Sequence, residues 1–137
     1  METKENKIYA SGKRKSSVAR AEIFSGSGKV KINGRDYKTL QMFDRLKIEE
    51  PLKIANEILG NTNFDIEVSV RGGGEKGQTD ASRLAVAKAI VDFSKSEKLK
   101  EAYLNYDRSL LVADIRRKET RKPGDSKARA KRQTSYR

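Results

Sequence analysis

The chain has 137 residues, with 31 Lys+Arg against 19 Asp+Glu, a net charge of +12, and only 35% apolar residues. That length supports one modest core, and the charge excess points to a polyanionic partner, nucleic acid before an anionic membrane. With no cysteine and no histidine, disulfide frameworks, thiol nucleophiles, His-based triads and the usual zinc ligands are excluded. No apolar run approaches the ~18 residues of a membrane span, and "METKENKIYA" has no signal-peptide core. No calcium-loop pattern is present. The expectation is a cytoplasmic protein with no cofactor and no membrane role.

From Lys7 to Lys38 the sequence reads as a β-meander. Ala19, Ala21 and Ile23 alternate with Arg20, Glu22 and Phe24, the period-2 pattern of a half-buried strand. Gly26-Ser27-Gly28 supplies a turn, and Asn33-Gly34 after Val30 and Ile32 is a type I′ hairpin signal. The basic cluster Lys13-Arg14-Lys15 falls at the bend before the second strand. Glu49-Glu50-Pro51 is the expected start of a helix, with Leu52, Ala55, Ile58 and Leu59 on one face and Gly60 as its stop. "FDIEVSV" then alternates, with Ile66, Val68 and Val70 inward. Residues 79–94 read as a helix apolar around most of its circumference, which makes it the central buried one. A short helix is expected over Glu97–Tyr106. The body is therefore α+β, with a mostly antiparallel sheet on one side and helices on the other.

Between the alternating strand and the central helix lies "VRGGGEKGQTDASR". Against the phosphate-loop pattern G-x-x-x-x-G-K-[ST], Gly72, Gly77 and Thr79 fit, but Gln78 stands where the lysine belongs. "LLVAD" (Leu110 to Asp114) also resembles the apolar strand and Asp that hold magnesium in such enzymes. Too little chain follows the loop to build the several βαβ units of a nucleotide-binding sheet, which argues against an enzyme. Two readings of the glycines stay open and are compatible. They either make a tight strand-to-helix turn, or let the backbone at Gly72, Gly73, Gly74 and Gly77 approach an RNA phosphate. Arg71 and Lys76 flank this loop, and Arg83 on the first helical turns is expected to share its surface.

Residues 114–137 carry ten Lys/Arg and three Asp/Glu, a net +7, while the first 113 residues carry +5. Few apolar side chains are present to fold that segment alone, so the expected organisation is a body (1–113) and an extended basic C-terminal arm (114–137). Arginine outnumbers lysine there six to four, which favours bidentate phosphate contacts. A general nucleic-acid chaperone or DNA-packaging protein would carry a similar arm.

Five blocks across the chain carry a family resemblance: "SGKRKSSVARAEIFSGSGKVKING", "RLKIEEPL", "GGGEKGQTDASRLAVAKAI", "DIRRKETRKPG" and "KARAKRQTSYR". Together they resemble the small-ribosomal-subunit protein family numbered nine in bacteria and sixteen in eukaryotes, in its archaeal version. The resemblance implies a non-enzymatic structural protein of the subunit head. It also implies a four-stranded sheet backed by helices, similar to the second domain of ribosomal protein five, with a left-handed βαβ crossover. Its implied partners are small-subunit ribosomal RNA, neighbouring head proteins and the anticodon stem-loop of the peptidyl-site tRNA. Carried over by position, the RNA-binding residues are Lys13, Arg14, Lys15, Arg20 and the loop from Arg71 to Arg83. In the arm they are Arg116, Arg117, Lys118, Arg121, Lys122, Lys127 and Arg129. The tip that reaches tRNA corresponds to Lys131, Arg132, Ser135, Tyr136 and Arg137. This chain has Tyr136 where bacterial members usually place a lysine, and Ile115 where proline is more frequent.

Overall fold

The computed structural model describes residues 7–60 and 63–112. In chain order these form β1 (Ile8–Arg14), β2 (Ser17–Ser25), β3 (Val30–Ile32), β4 (Arg35–Asp36), α1 (Met42–Leu59), β5 (Phe64–Arg71), α2 (Glu75–Ser94) and α3 (Glu97–Tyr106). Short 3-10 turns cover Tyr37–Thr39 and Arg108–Leu110. The class is α+β, as expected, but the sheet has five strands rather than four, in the order β1-β2-β5-β3-β4. The extra strand is the two-residue β4, made by the Asn33-Gly34 turn as it folds Arg35 and Asp36 back on Ile32 and Lys31. Asn33 and Gly34 both have positive φ, 52° and 80°, as a type I′ turn requires.

The meander is only half correct. β1 and β2 form a hairpin, but β3 does not pair with β2; β5 lies between them, antiparallel to β2 and parallel to β3. The loop after β2 explains this. The Asp65 carboxylate accepts the backbone N–H groups of Ser27 (3.0 Å), Gly28 (3.1 Å) and Lys29 (2.9 Å). The chain therefore wraps around the start of β5 instead of turning back on β2. On the far side, Asn33 continues the ladder with its side chain, accepting from Val70 N–H at 2.9 Å and donating to the Val70 carbonyl at 3.3 Å.

Those three amides also have an electrostatic effect. The Lys29 N–H, and less strongly those of Ser27 and Gly28, hold the Asp65 carboxyl below its ordinary value, against a smaller opposing push from burial. A depressed folded-state pKa gives stability that is present above the unfolded aspartate's value and lost as pH falls through the folded one. The urea midpoint should thus fall on acidification below about pH 4. Asp65→Asn should flatten that part of the profile, and an unchanged acid limb would remove Asp65 as its source.

The helices cover one face of the sheet. Ala19, Ala21, Ile23, Ile66, Val68 and Val70 point inward and meet α2, whose Leu84, Ala85, Val86, Ala89 and Ile90 are buried. At Gly12 the backbone of α2 comes so close that a β-carbon would meet the Ala81 carbonyl oxygen. α1 and α3 pack alongside, joined by the buried Tyr103 hydroxyl, which donates to the Pro51 carbonyl at 2.7 Å. Burial pushes the Tyr103 phenol well above its usual value, so it remains a donor.

Two helix boundaries differ from the sequence reading. α1 begins at Met42, not at Glu49, and Pro51 lies buried inside it. The missing N–H of Pro51 costs less than exposing the segment before it, because Ile48 is fully buried in the core. Ile58, expected inward, is exposed, whereas Gly60 ends the helix in the left-handed conformation as anticipated. α2 begins at Glu75 rather than Thr79, so Gly77 and Gln78 are helical. α3 has the expected limits.

Candidate nucleic-acid interface

The side of the sheet away from the helices is open, and its charge is divided along the strands. Cross-strand registers align Lys13, Val18 and Arg71 in one row and Ser11, Arg20 and Ser69 in the next. Neither row holds a carboxylate. The following row contains Tyr9, Glu22, Glu67, Lys31 and Asp36, with Asp65 beyond it. Basic side chains thus occupy the end of the face beside the β1–β2 turn, and acids the other end. Lys15 forms that turn with φ 53°, and the glycine loop lies against it. Lys76 is exposed on the first turn of α2. Lys13, Lys15, Arg20, Arg71 and Lys76 are therefore gathered at one end of the molecule.

The loop geometry explains the glycines and the glutamine. Gly72 and Gly73 have φ of 79° and 66°, values that favour glycine. A β-carbon on Gly72 would sit 2.5 Å from the Ser16 carbonyl oxygen, and one on Gly73 would collide with the Ser17 hydroxyl. One on Gly77 would lie 2.9 Å from that same hydroxyl. The Gly72 carbonyl accepts from the Ser17 hydroxyl at 2.9 Å and from the Gln78 side-chain amide at 3.2 Å. Gln78, at the position a phosphate loop gives to lysine, thus closes the loop on itself. Thr79, at the magnesium-ligand position, is buried and donates to the Glu75 carbonyl at 3.0 Å. At "LLVAD" the structure has a 3-10 turn ending at Leu110 and no strand through Val112, so the second half of the nucleotide-site pattern also fails. Gly74 differs from its neighbours, since a β-carbon there would meet open space.

The family model described as ribosomal protein S9/S16 matches residues 12–137. The chain belongs to the ribosomal protein S9/S16 family. It is 44% identical over 133 residues to the small ribosomal subunit protein uS9 of Methanococcus vannielii, covering 95% of this chain and 98% of that one. The same identity and coverage hold for the uS9 of Methanococcus maripaludis strain C7. S9/S16 proteins are structural and not enzymatic, components of the small subunit of the cytoplasmic ribosome. Among the described residues no helix is long and apolar enough to cross a membrane.

The S9/S16 fold does not gather every residue singled out from sequence. Arg14 points to the helix side, 3.9 Å from Asp80, which Lys47 of α1 also meets at 3.2 Å. Arg83 does not join the loop surface. Its guanidinium is 2.6 Å from Glu50 and 3.4 Å from Asp107, with only 13% of the side chain exposed, so it ties α1, α2 and the end of α3 together. Two residues on the open face were missed, Tyr9 and Lys31, which flank a shallow groove together with Arg20. Tyr9 is 70% exposed. The available signal was its place in the alternation Tyr9, Ser11, Lys13, which puts it on the outward side of β1. The arm residues from Arg116 to Arg137 lie outside the described residues.

Proposed function

We propose that this chain anchors on small-subunit ribosomal RNA through the basic end of its open sheet face, while its C-terminal arm follows RNA to the peptidyl-site tRNA. The observation that supports the reading best is the gathering of Lys13, Lys15, Arg20, Arg71 and Lys76 beside the exposed backbone of Gly74. Contacts of this type are made to phosphates and fix position rather than read sequence. Tyr9 adds a flat exposed ring on which a base can stack, and the nearby acids would limit phosphate contacts to the hairpin end. The arm supplies Arg116, Arg117, Lys118, Arg121, Lys122, Lys127 and Arg129 to ribosomal RNA. Lys131, Arg132, Ser135, Tyr136 and Arg137 then meet the anticodon stem-loop, and neighbouring head proteins complete the surroundings.

A sucrose gradient of cell lysate tests the placement. The chain should stay in the small-subunit peak through a high-salt wash, and departure in modest salt would count against integral anchoring. The body's part is tested with Lys13→Gln, Lys15→Gln and Arg71→Gln combined. At ~0.7–0.9 per phosphate contact, the logarithmic salt slope of ribosomal RNA binding should fall by about 2–3 units. An unchanged slope would remove the hairpin end from the interface. Equal affinity for duplex DNA of similar length would favour a general nucleic-acid binder instead.

A further inference from the structure

A second surface lies at the N-terminal ends of α1 and α2, where the chemistry is the opposite of the basic end. A cleft of about 500 Å3 opens there between α1, α2 and the β3–β4 turn. Its polar lining includes Asp44, Glu75, Gln78, Thr79 and Ser82. Asp44 is only 7% exposed, and its carboxylate has no hydrogen bond or ion pair with any of the described residues. Ser82 is 1% exposed, and its hydroxyl has no partner among them either. A hydroxyl removed from water without a partner is costly to leave so, and the Asp44 carboxylate beside it is an unpaired negative charge. Ile32 and Val70 supply an apolar wall. Immediately outside, Met42 and Phe43 are 64% and 72% exposed at the start of α1.

We propose that this cleft receives an arginine side chain from a neighbouring protein of the small subunit, with apolar residues beside that arginine covering Met42 and Phe43. Asp44 lines the cleft with a carboxylate acceptor and Ser82 with a hydroxyl. A guanidinium brings five donors and no acceptor, and its aliphatic stem suits the wall of Ile32 and Val70. An RNA phosphate is unsuited, because it would face Asp44 and Glu75. Arg35 lines the cleft as well and repels the incoming cation, so the ion pair with Asp44 has to form beyond it. A protein partner also accounts for two large apolar side chains exposed side by side on a strongly charged chain. The inference rests on the chemistry of this cleft and on family membership, and is independent of the RNA contacts proposed above.

The test uses the full chain assembled into intact small subunits. Phe43→p-benzoylphenylalanine is photo-activated, and the crosslinked residue is identified by mass spectrometry. The expected product joins position 43 to another ribosomal protein, within a few residues of an arginine. Asp44→Asn should lower that yield at least fivefold while leaving a crosslinker at Ile58, on the far end of α1, unaffected. If Asp44→Asn chains do not enter subunits, Ser82→Ala replaces it, with at least a twofold loss expected. A crosslink to RNA, to residues 113–137 of the same chain or to a segment without arginine would overturn the proposal. So would the absence of any product, or a yield indifferent to the cleft variant.

Discussion

Gly12→Ala is expected to be the most damaging single substitution in the body. The added β-carbon would meet the Ala81 carbonyl oxygen and lie 2.7 Å from the Ala85 nitrogen and 3.1 Å from the Leu84 β-carbon. Two of those three atoms are helix backbone, which cannot rotate away, so α2 would have to lift from β1. That movement would loosen the packing of Ala85, Val86, Ala89 and Ile90 against the sheet. Overpacking of this kind costs about 3 kcal/mol or more, a large part of the ~5–15 kcal/mol of a typical domain. At ~4–8 °C per kcal/mol, the melting midpoint should drop by roughly 12–24 °C. Gly34→Ala is the comparison, because its φ of 80° is strained for alanine but nothing lies within 4 Å of the new carbon. It should cost only about 1–2 kcal/mol. If Gly12→Ala melts no lower than Gly34→Ala, the close approach of α2 to β1 is wrong.

Removal of residues 114–137 should produce the largest change in RNA binding. The segment carries ten Lys/Arg, and if each meets a phosphate the logarithmic salt slope loses about 7–9 units. Glu119 and Asp125 lie among those cations, so this is an upper limit. A slope shallower by 7 units means that doubling the salt costs about a hundredfold less affinity than it does for the full chain. Peptidyl-site tRNA should also dissociate faster from subunits assembled with the shortened chain. A salt slope that survives the truncation would show that the arm does not lie along phosphates.

Local signals in the sequence were largely legible. Asn33-Gly34 announced its turn, the alternation over residues 64–70 gave the inward side of β5, and Glu97–Tyr106 had the anticipated limits. Failures occurred where a distant partner decides the outcome. Pro51 looked like a helix start because its burial against α3, through Tyr103, depends on a residue 52 positions away. The side chain of Asp65 turns a presumed hairpin into a crossing loop, and no residue near Gly28 reveals that. Charge marked the basic residues in the sequence, and strand register then separated Lys13, Arg20 and Arg71 from Arg14, which faces the helices. Arg83 illustrates the limit of composition: the same guanidinium serves a phosphate or two carboxylates, and only packing chooses.

The position of β5 has a consequence for how the protein is made. While the chain is being synthesised, β1 and β2 can pair as soon as they emerge, but the inner edge of β2 has no partner until residues 64–71 arrive. The β3–β4 hairpin likewise has nowhere to dock before then. Through roughly a third of synthesis, a strand meant for the middle of the sheet is left open-edged, a template for pairing with other chains. A protein needed in as many copies as the ribosome itself must pass through that stage each time. Early capture by RNA or a chaperone would therefore protect the incomplete sheet as well as deliver the finished one.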